Sequence, residues 1–136
     1  MAKFRNLRRY CTILIAVILL AGCASGKYGS RVYDLDSIYN EDPAGKYVKV
    51  SSFVEPGQVQ CTNYLCTASD PCCNNCYAKL FLVDPAKTEL RIETDRRCTG
   101  NNCLLGCEIP TNQSHLLKGR LEMTNLRYYI FRVDYP

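Results

Sequence analysis

A small all-β domain, built as a closed barrel of five strands with disulfide-stapled loops, is the fold this sequence predicts. Three observations lead there. Between Tyr47 and Asp134 the chain breaks into five short runs of alternating apolar and polar residues, each bounded by turn-forming residues. Helical spacing is never sustained over that stretch. Eight cysteines crowd between Cys61 and Cys107, in segments whose other residues have turn chemistry and no core-forming period.

The first run, Tyr47 to Val54, sets Val48, Val50 and Val54 on one side and Lys49 and Ser51 on the other. In the second, Tyr77 to Val83, Leu80 and Leu82 oppose Lys79 and Phe81. Asp84-Pro85-Ala86-Lys87 is a turn signal, and it leads into Leu90 to Thr94, where Leu90 and Ile92 face away from Glu89, Arg91 and Glu93. A fourth strand sets Leu117, Leu121 and Met123 against Lys118, Arg120 and Glu122, with Gly119 as a bulge or bend. A short turn at Thr124-Asn125 opens the fifth, Arg127 to Asp134, where Tyr129, Phe131 and Val133 alternate with Tyr128, Ile130 and Arg132.

One strand, a long loop and two hairpins in this order resemble an OB-fold, a five-stranded Greek-key barrel. The resemblance covers Tyr47 to Asp134 and is topological. The helix usual between the third and fourth strands is replaced by a cysteine-rich loop. A small β-sandwich satisfies the same alternation. The barrel is preferred because closure removes the exposed edges that so few strands leave.

Ahead of this domain the chain has two further parts. Lys3, Arg5, Arg8 and Arg9 precede an apolar run from Tyr10 to Ala21, too short for a stop-transfer helix. The run ends in Leu20-Ala21-Gly22-Cys23, which resembles the lipobox of bacterial lipoproteins. That resemblance implies a signal peptide over residues 1–22, cleavage between Gly22 and Cys23, and a diacylglycerol thioether and N-acyl (palmitate-type) chain on Cys23. A thiol is nucleophilic enough at neutral pH for that modification. Ala24 in place of Asp, by the sorting rule of Gram-negative lipoproteins, implies the outer membrane, facing the periplasm or the cell surface. Residues 23–46, rich in Gly, Ser, Asp and Tyr, read as a lipid-anchored flexible tether of roughly 25 Å, with Tyr33 to Tyr39 able to dock locally. Residues 47–136 are the cysteine-rich β-domain.

The formal charge of +4 belongs to the signal segment. Removing its four basic residues from seventeen leaves thirteen, equal to the thirteen acids. A balanced surface gives no long-range steering toward phosphate, so no nucleic-acid partner is expected. Tyr128, Tyr129 and Phe131 offer the aromatic spacing of a base-stacking platform, but core packing explains Tyr129 and Phe131 equally well.

Of ten cysteines, Cys11 leaves with the signal and Cys23 carries lipid. The remaining Cys61, Cys66, Cys72, Cys73, Cys76, Cys98, Cys103 and Cys107 read as disulfides in an exported chain. Five precede or open the second strand and three lie in the loop after the third. Both groups are odd, so if all pair, at least one bridge joins the two loops. Adjacent Cys72 and Cys73 are poor mutual partners. The pairing is otherwise open. Each bridge is expected to contribute about 2–4 kcal/mol.

A competing reading makes Cys72, Cys73 and Cys76 a reactive thiol-redox or metal cluster, since Cys73-x-x-Cys76 and Cys103-x-x-x-Cys107 have ligand-like spacing. An oxidising envelope, the surplus of cysteines and the single His115 weigh against it, so no metal or cofactor beyond the lipid is expected. Catalysis lacks a constellation: no nucleophile elbow, phosphate loop or HExxH occurs, and Asp84, Glu89 and Glu93 read as surface charges. The function expected is that of a non-catalytic binding or structural module. Its partners are the membrane, through the lipid, and an envelope protein or glycan, through the crosslinked loops.

Overall fold

The computed structural model describes residues 26–134. Cys11, Gly22 and Cys23, and with them the cleavage and lipidation sites, lie outside the described residues. Among these residues, strands β1 (Val32–Tyr33), β2 (Tyr47–Pro56), β3 (Gln60–Cys61), β4 (Asn75–Asp84), β5 (Lys87–Asn101), β6 (Leu105–Cys107), β7 (Gln113–Met123) and β8 (Tyr129–Val133) accompany one helix, α1 (Leu35–Glu41).

Five of these strands close on themselves. β2 pairs antiparallel with β7 along Tyr47–Val54 and with β4 along Phe53–Pro56, so one strand serves both seams. β4 pairs with β5, β7 with β8, and β5 meets β8 in parallel at Glu93↔Ile130 and Thr94↔Phe131. The circuit β2-β4-β5-β8-β7 is the strand order of an OB-like barrel, and it excludes the sandwich. Register shifts near Lys79/Phe81 and Val83/Asp84 give the β4–β5 hairpin the extra twist that closure demands.

The inward face follows the sequence alternation closely. Val48, Val50, Val54, Ala78, Leu80, Leu82, Ile92, Leu121, Phe131 and Val133 form the core. Met123 departs from it and is 43 % exposed, because it opposes Tyr129 at the mouth of the β7–β8 hairpin, beyond the last closed layer. Gly119 is neither bulge nor bend. It keeps unbroken register with Val48 on one side and Val133 on the other. A Cβ there would stand 2.1 Å from the Arg132 carbonyl oxygen and 2.8 Å from Phe131 Cζ, so glycine admits a close approach of backbone and ring.

The segment read as a flexible tether is folded over most of its described length. Asp34 caps α1, its Oδ1 accepting from the Ser37 N–H at 2.8 Å. Leu35 and Ile38 are buried in the barrel core. Lys87 reaches Asp36, and the Tyr39 hydroxyl donates to the Arg91 carbonyl at 3.0 Å, which holds α1 over the β4–β5 turn. β1 then covers the free edge of β2 in parallel. A seven-residue helix is too short for its period to stand out in the sequence. The helix that this barrel lacks between its third and fourth strands is thus supplied from ahead of the first. The folded unit begins well before residue 47.

Candidate functional site

β4 and β5 continue past the barrel. There Asn75–Lys79 pairs with Arg97–Asn101, β3 adds to the outer edge of β4 and β6 to that of β5, making a four-stranded arm in the order β3-β4-β5-β6. β5 therefore runs through Cys98 to Asn101, and Cys98, placed by the sequence in a loop, is a buried strand residue.

All eight cysteines staple this arm. Cys61–Cys76 and Cys98–Cys107 link residues directly opposite one another in the β3–β4 and β5–β6 ladders. Cys66–Cys73 cinches the loop between β3 and β4, and Cys72–Cys103 joins that loop to the β5–β6 turn. The required loop-to-loop bridge is present, and Cys72 and Cys73 take different partners. The sulfurs of Cys72, Cys73 and Cys76 are dispersed over three bridges, so the proposed reactive cluster is not assembled. Cys103 and Cys107 are likewise in separate bridges.

Asparagine carboxamides complete the tip. Asn74 Oδ1 accepts from the Tyr64 N–H at 2.6 Å and from Thr62 Oγ1 at 3.1 Å, while its Nδ2 donates to the Tyr64 carbonyl at 3.1 Å. One side chain thereby acts toward Tyr64 as a paired strand would. Asn102 Oδ1 accepts from the Asn74 N–H at 3.1 Å and its Nδ2 donates to the Pro71 carbonyl at 3.0 Å, tying one loop to the other. Asn101 Oδ1 accepts from the Cys103 and Leu104 N–H groups at 3.0 and 2.9 Å. Tyr64 is thereby held through both its N–H and its carbonyl.

What this rigid tip displays is apolar. Leu65 is fully exposed, Leu104 is 76 % exposed and Tyr64 66 %. On the strands of the same arm a shallow depression of about 510 Å³ is bounded by Gln60, Thr62, Tyr77 and Thr99. Backbone already fixed by crosslinks loses little conformational freedom when a partner covers it, so the ordering cost of binding is confined to the side chains. Sequence reasoning placed the partner surface on these loops but did not single out Tyr64, Leu65 or Leu104. The available signal was large apolar residues within turn chemistry that cannot build a core.

A second groove, about 700 Å³, lies where the β7–β8 sheet faces the segment after β6. Ile109, Pro110, Leu116 and Val133 line it, with Lys27, Arg96 and Asp134 among its polar groups. The hydrogen bond from Lys27, followed by that from Tyr28, lowers the Asp134 carboxyl below the usual carboxylate range. His115 sits here with Nε2 2.8 Å from the Pro110 carbonyl. Asp84 accepts from the Ala86 N–H within its turn, and Glu93 pairs with Lys79 at 2.7 Å. Tyr129 and Phe131 are buried and Tyr128 is exposed, which leaves one outward ring of the three.

No family model, no curated protein and no solved structure matches this chain.

Proposed function

We propose that the chain is a bacterial cell-envelope lipoprotein, anchored by lipid on Cys23 to the outer membrane, whose OB-like barrel is a non-catalytic binding module. Its binding surface is the stapled tip, and its partner is an envelope protein or a glycan. The observation that carries this reading is the display of Tyr64, Leu65 and Leu104 on backbone fastened by four disulfides and three asparagines. The lipobox-like Leu20-Ala21-Gly22-Cys23 supports export, and export supports persistent bridges.

A photo-crosslinking side chain placed at residue 65 or 104 in intact cells is expected to give the same discrete adduct. The equally exposed Leu126, on the β7–β8 turn, serves as the reference position. If positions 65 and 104 yield nothing that position 126 does not, the tip is not the binding surface. Loss of the lipid mass in Cys23→Ser checks the anchor separately.

A further inference from the structure

On the outward face of β2-β7-β8, cations face cations. Lys49 lies directly opposite Lys118, and Arg120 opposite Arg132, with Tyr47 completing the second row. The inward residues between them, Val48, Gly119 and Val133, are buried, so these side chains stand on the solvent side. Like charges directly opposed across a ladder oppose pairing. Glu122, which contacts both Arg120 and Arg132, offsets part of that repulsion, but among the described residues no carboxylate pairs with Lys49 or Lys118. Lys49, Lys118, Arg120 and Arg132 thus form a local cationic patch on one sheet face of a chain whose charge from residue 23 onward is balanced.

The N-terminal entry of the folded unit lies on the same face. Lys27 Nζ stands 4.0 Å from the centre of the Tyr47 ring and pairs with Asp134, and Tyr28 meets Tyr47 edge to face at 5.8 Å. Folding therefore begins at Lys27, four residues from Cys23, and four extended residues span at most about 14 Å. A link so short keeps this face close enough to the bilayer to approach to the Debye length of about 8 Å over which surface charge acts. The arm lies at the other end: Pro56, the far end of β2 from Tyr47, pairs with Leu80, and β4 runs on from there to Asn75 and the tip.

We propose that the Lys27/Lys49/Lys118/Arg120/Arg132 face docks on anionic phospholipid headgroups of the membrane that carries the anchor, which points the stapled tip away from that membrane. The proposal rests on the lipid anchor at Cys23. Two cationic rows match a sheet of headgroup phosphates, and tyrosines at their margin suit the bilayer interface.

The lipidated mature chain, reconstituted in phosphatidylglycerol or phosphatidylcholine vesicles, is treated with an amine-acetylating reagent and read by peptide mass. Lys27, Lys49 and Lys118 are expected to react roughly fivefold more slowly in the anionic vesicles, with Lys79 and Lys87 unchanged and the difference abolished by high salt. Lys49→Glu replaces the repulsive pair by an attractive one. It is expected to raise the unfolding temperature slightly while removing protection at Lys27 and Lys118. Equal rates in both vesicles, or equal protection by an oligonucleotide without vesicles, overturns the proposal. A mature mass without lipid overturns the anchor reading and this proposal with it, whereas a lipidated chain with uniform rates refutes the docking face alone.

Discussion

Cys72 and Cys103, 31 residues apart in sequence, form the bridge that fastens the β3–β4 loop to the β5–β6 turn. Asn102, next to Cys103, reinforces the same junction through Asn74 and Pro71. The arm therefore has one covalent tie between its two cysteine groups and a hydrogen-bonded one beside it.

Replacing Cys72 and Cys103 together by Ala is expected to cost about 3–4 kcal/mol, the loop-closure value for a ring of this length. Urea unfolding of the oxidised chain measures it. Peptide mapping without reduction is expected to show residues 72 and 103 in one linked fragment, and their appearance in separate fragments would refute the assigned pairing.

Gly119→Ala is expected to prevent folding or to cost more than about 2 kcal/mol, because the new methyl meets the Arg132 carbonyl, which is backbone of a paired strand, and the fully buried Phe131 ring. Gly106→Ala, whose Cβ would meet nothing nearer than 3.9 Å, serves as the tolerated comparison. Thermal unfolding of the two variants separates a steric requirement from a general intolerance of substitution in strands.

The buried Ile38 of α1 tests whether the segment before β2 is part of the fold. Ile38→Ala is expected to destabilise the whole barrel by about 2–5 kcal/mol in a single transition. Asp34→Ala, which removes the cap of the same helix, is expected to cost about 1 kcal/mol. Unchanged denaturation midpoints in both variants would restore a loosely attached tether.

Tyr129 gives the fold an alkaline limit. Burial, aided by donation of its hydroxyl to Asp42 Oδ1 at 2.6 Å, pushes its pKa up to about 12 from an ordinary value near 10, with Tyr39 packed edge to face on the ring. The folded state then holds a proton that the unfolded chain gives up. The resulting stability is complete below about pH 10 and is lost as pH rises toward 12. It amounts to at most about 2–3 kcal/mol. Tyr129→Phe is expected to remove this alkaline slope, read from denaturation midpoints between pH 9 and 12.

The five barrel strands were legible because each buries one face, and period-two alternation records that burial directly in the residues. The extent of β5 was not. Its outer half, Asp95 to Asn101, is polar with a single cysteine, and it is a strand only because β4 and β6 pair with it and the Cys98–Cys107 bridge pins it. α1 was hidden for a related reason: its two buried residues, Leu35 and Ile38, are one helical turn apart and make no visible period alone.

Cysteine number and placement alone required that, if all eight pair, a bridge joins the two loops, since two odd groups cannot both pair internally. The alternation alone determined an all-β core and named most of its residues. Tertiary structure decided which cysteine meets which, that Gly119 must be glycine, that Leu65 and Leu104 stand in water, and that Lys49 faces Lys118. The physical reason is common to all four. Burial leaves a local imprint on a sequence, whereas cross-strand register and loop closure join residues far apart in the chain, and no local pattern encodes which distant partner a residue will meet.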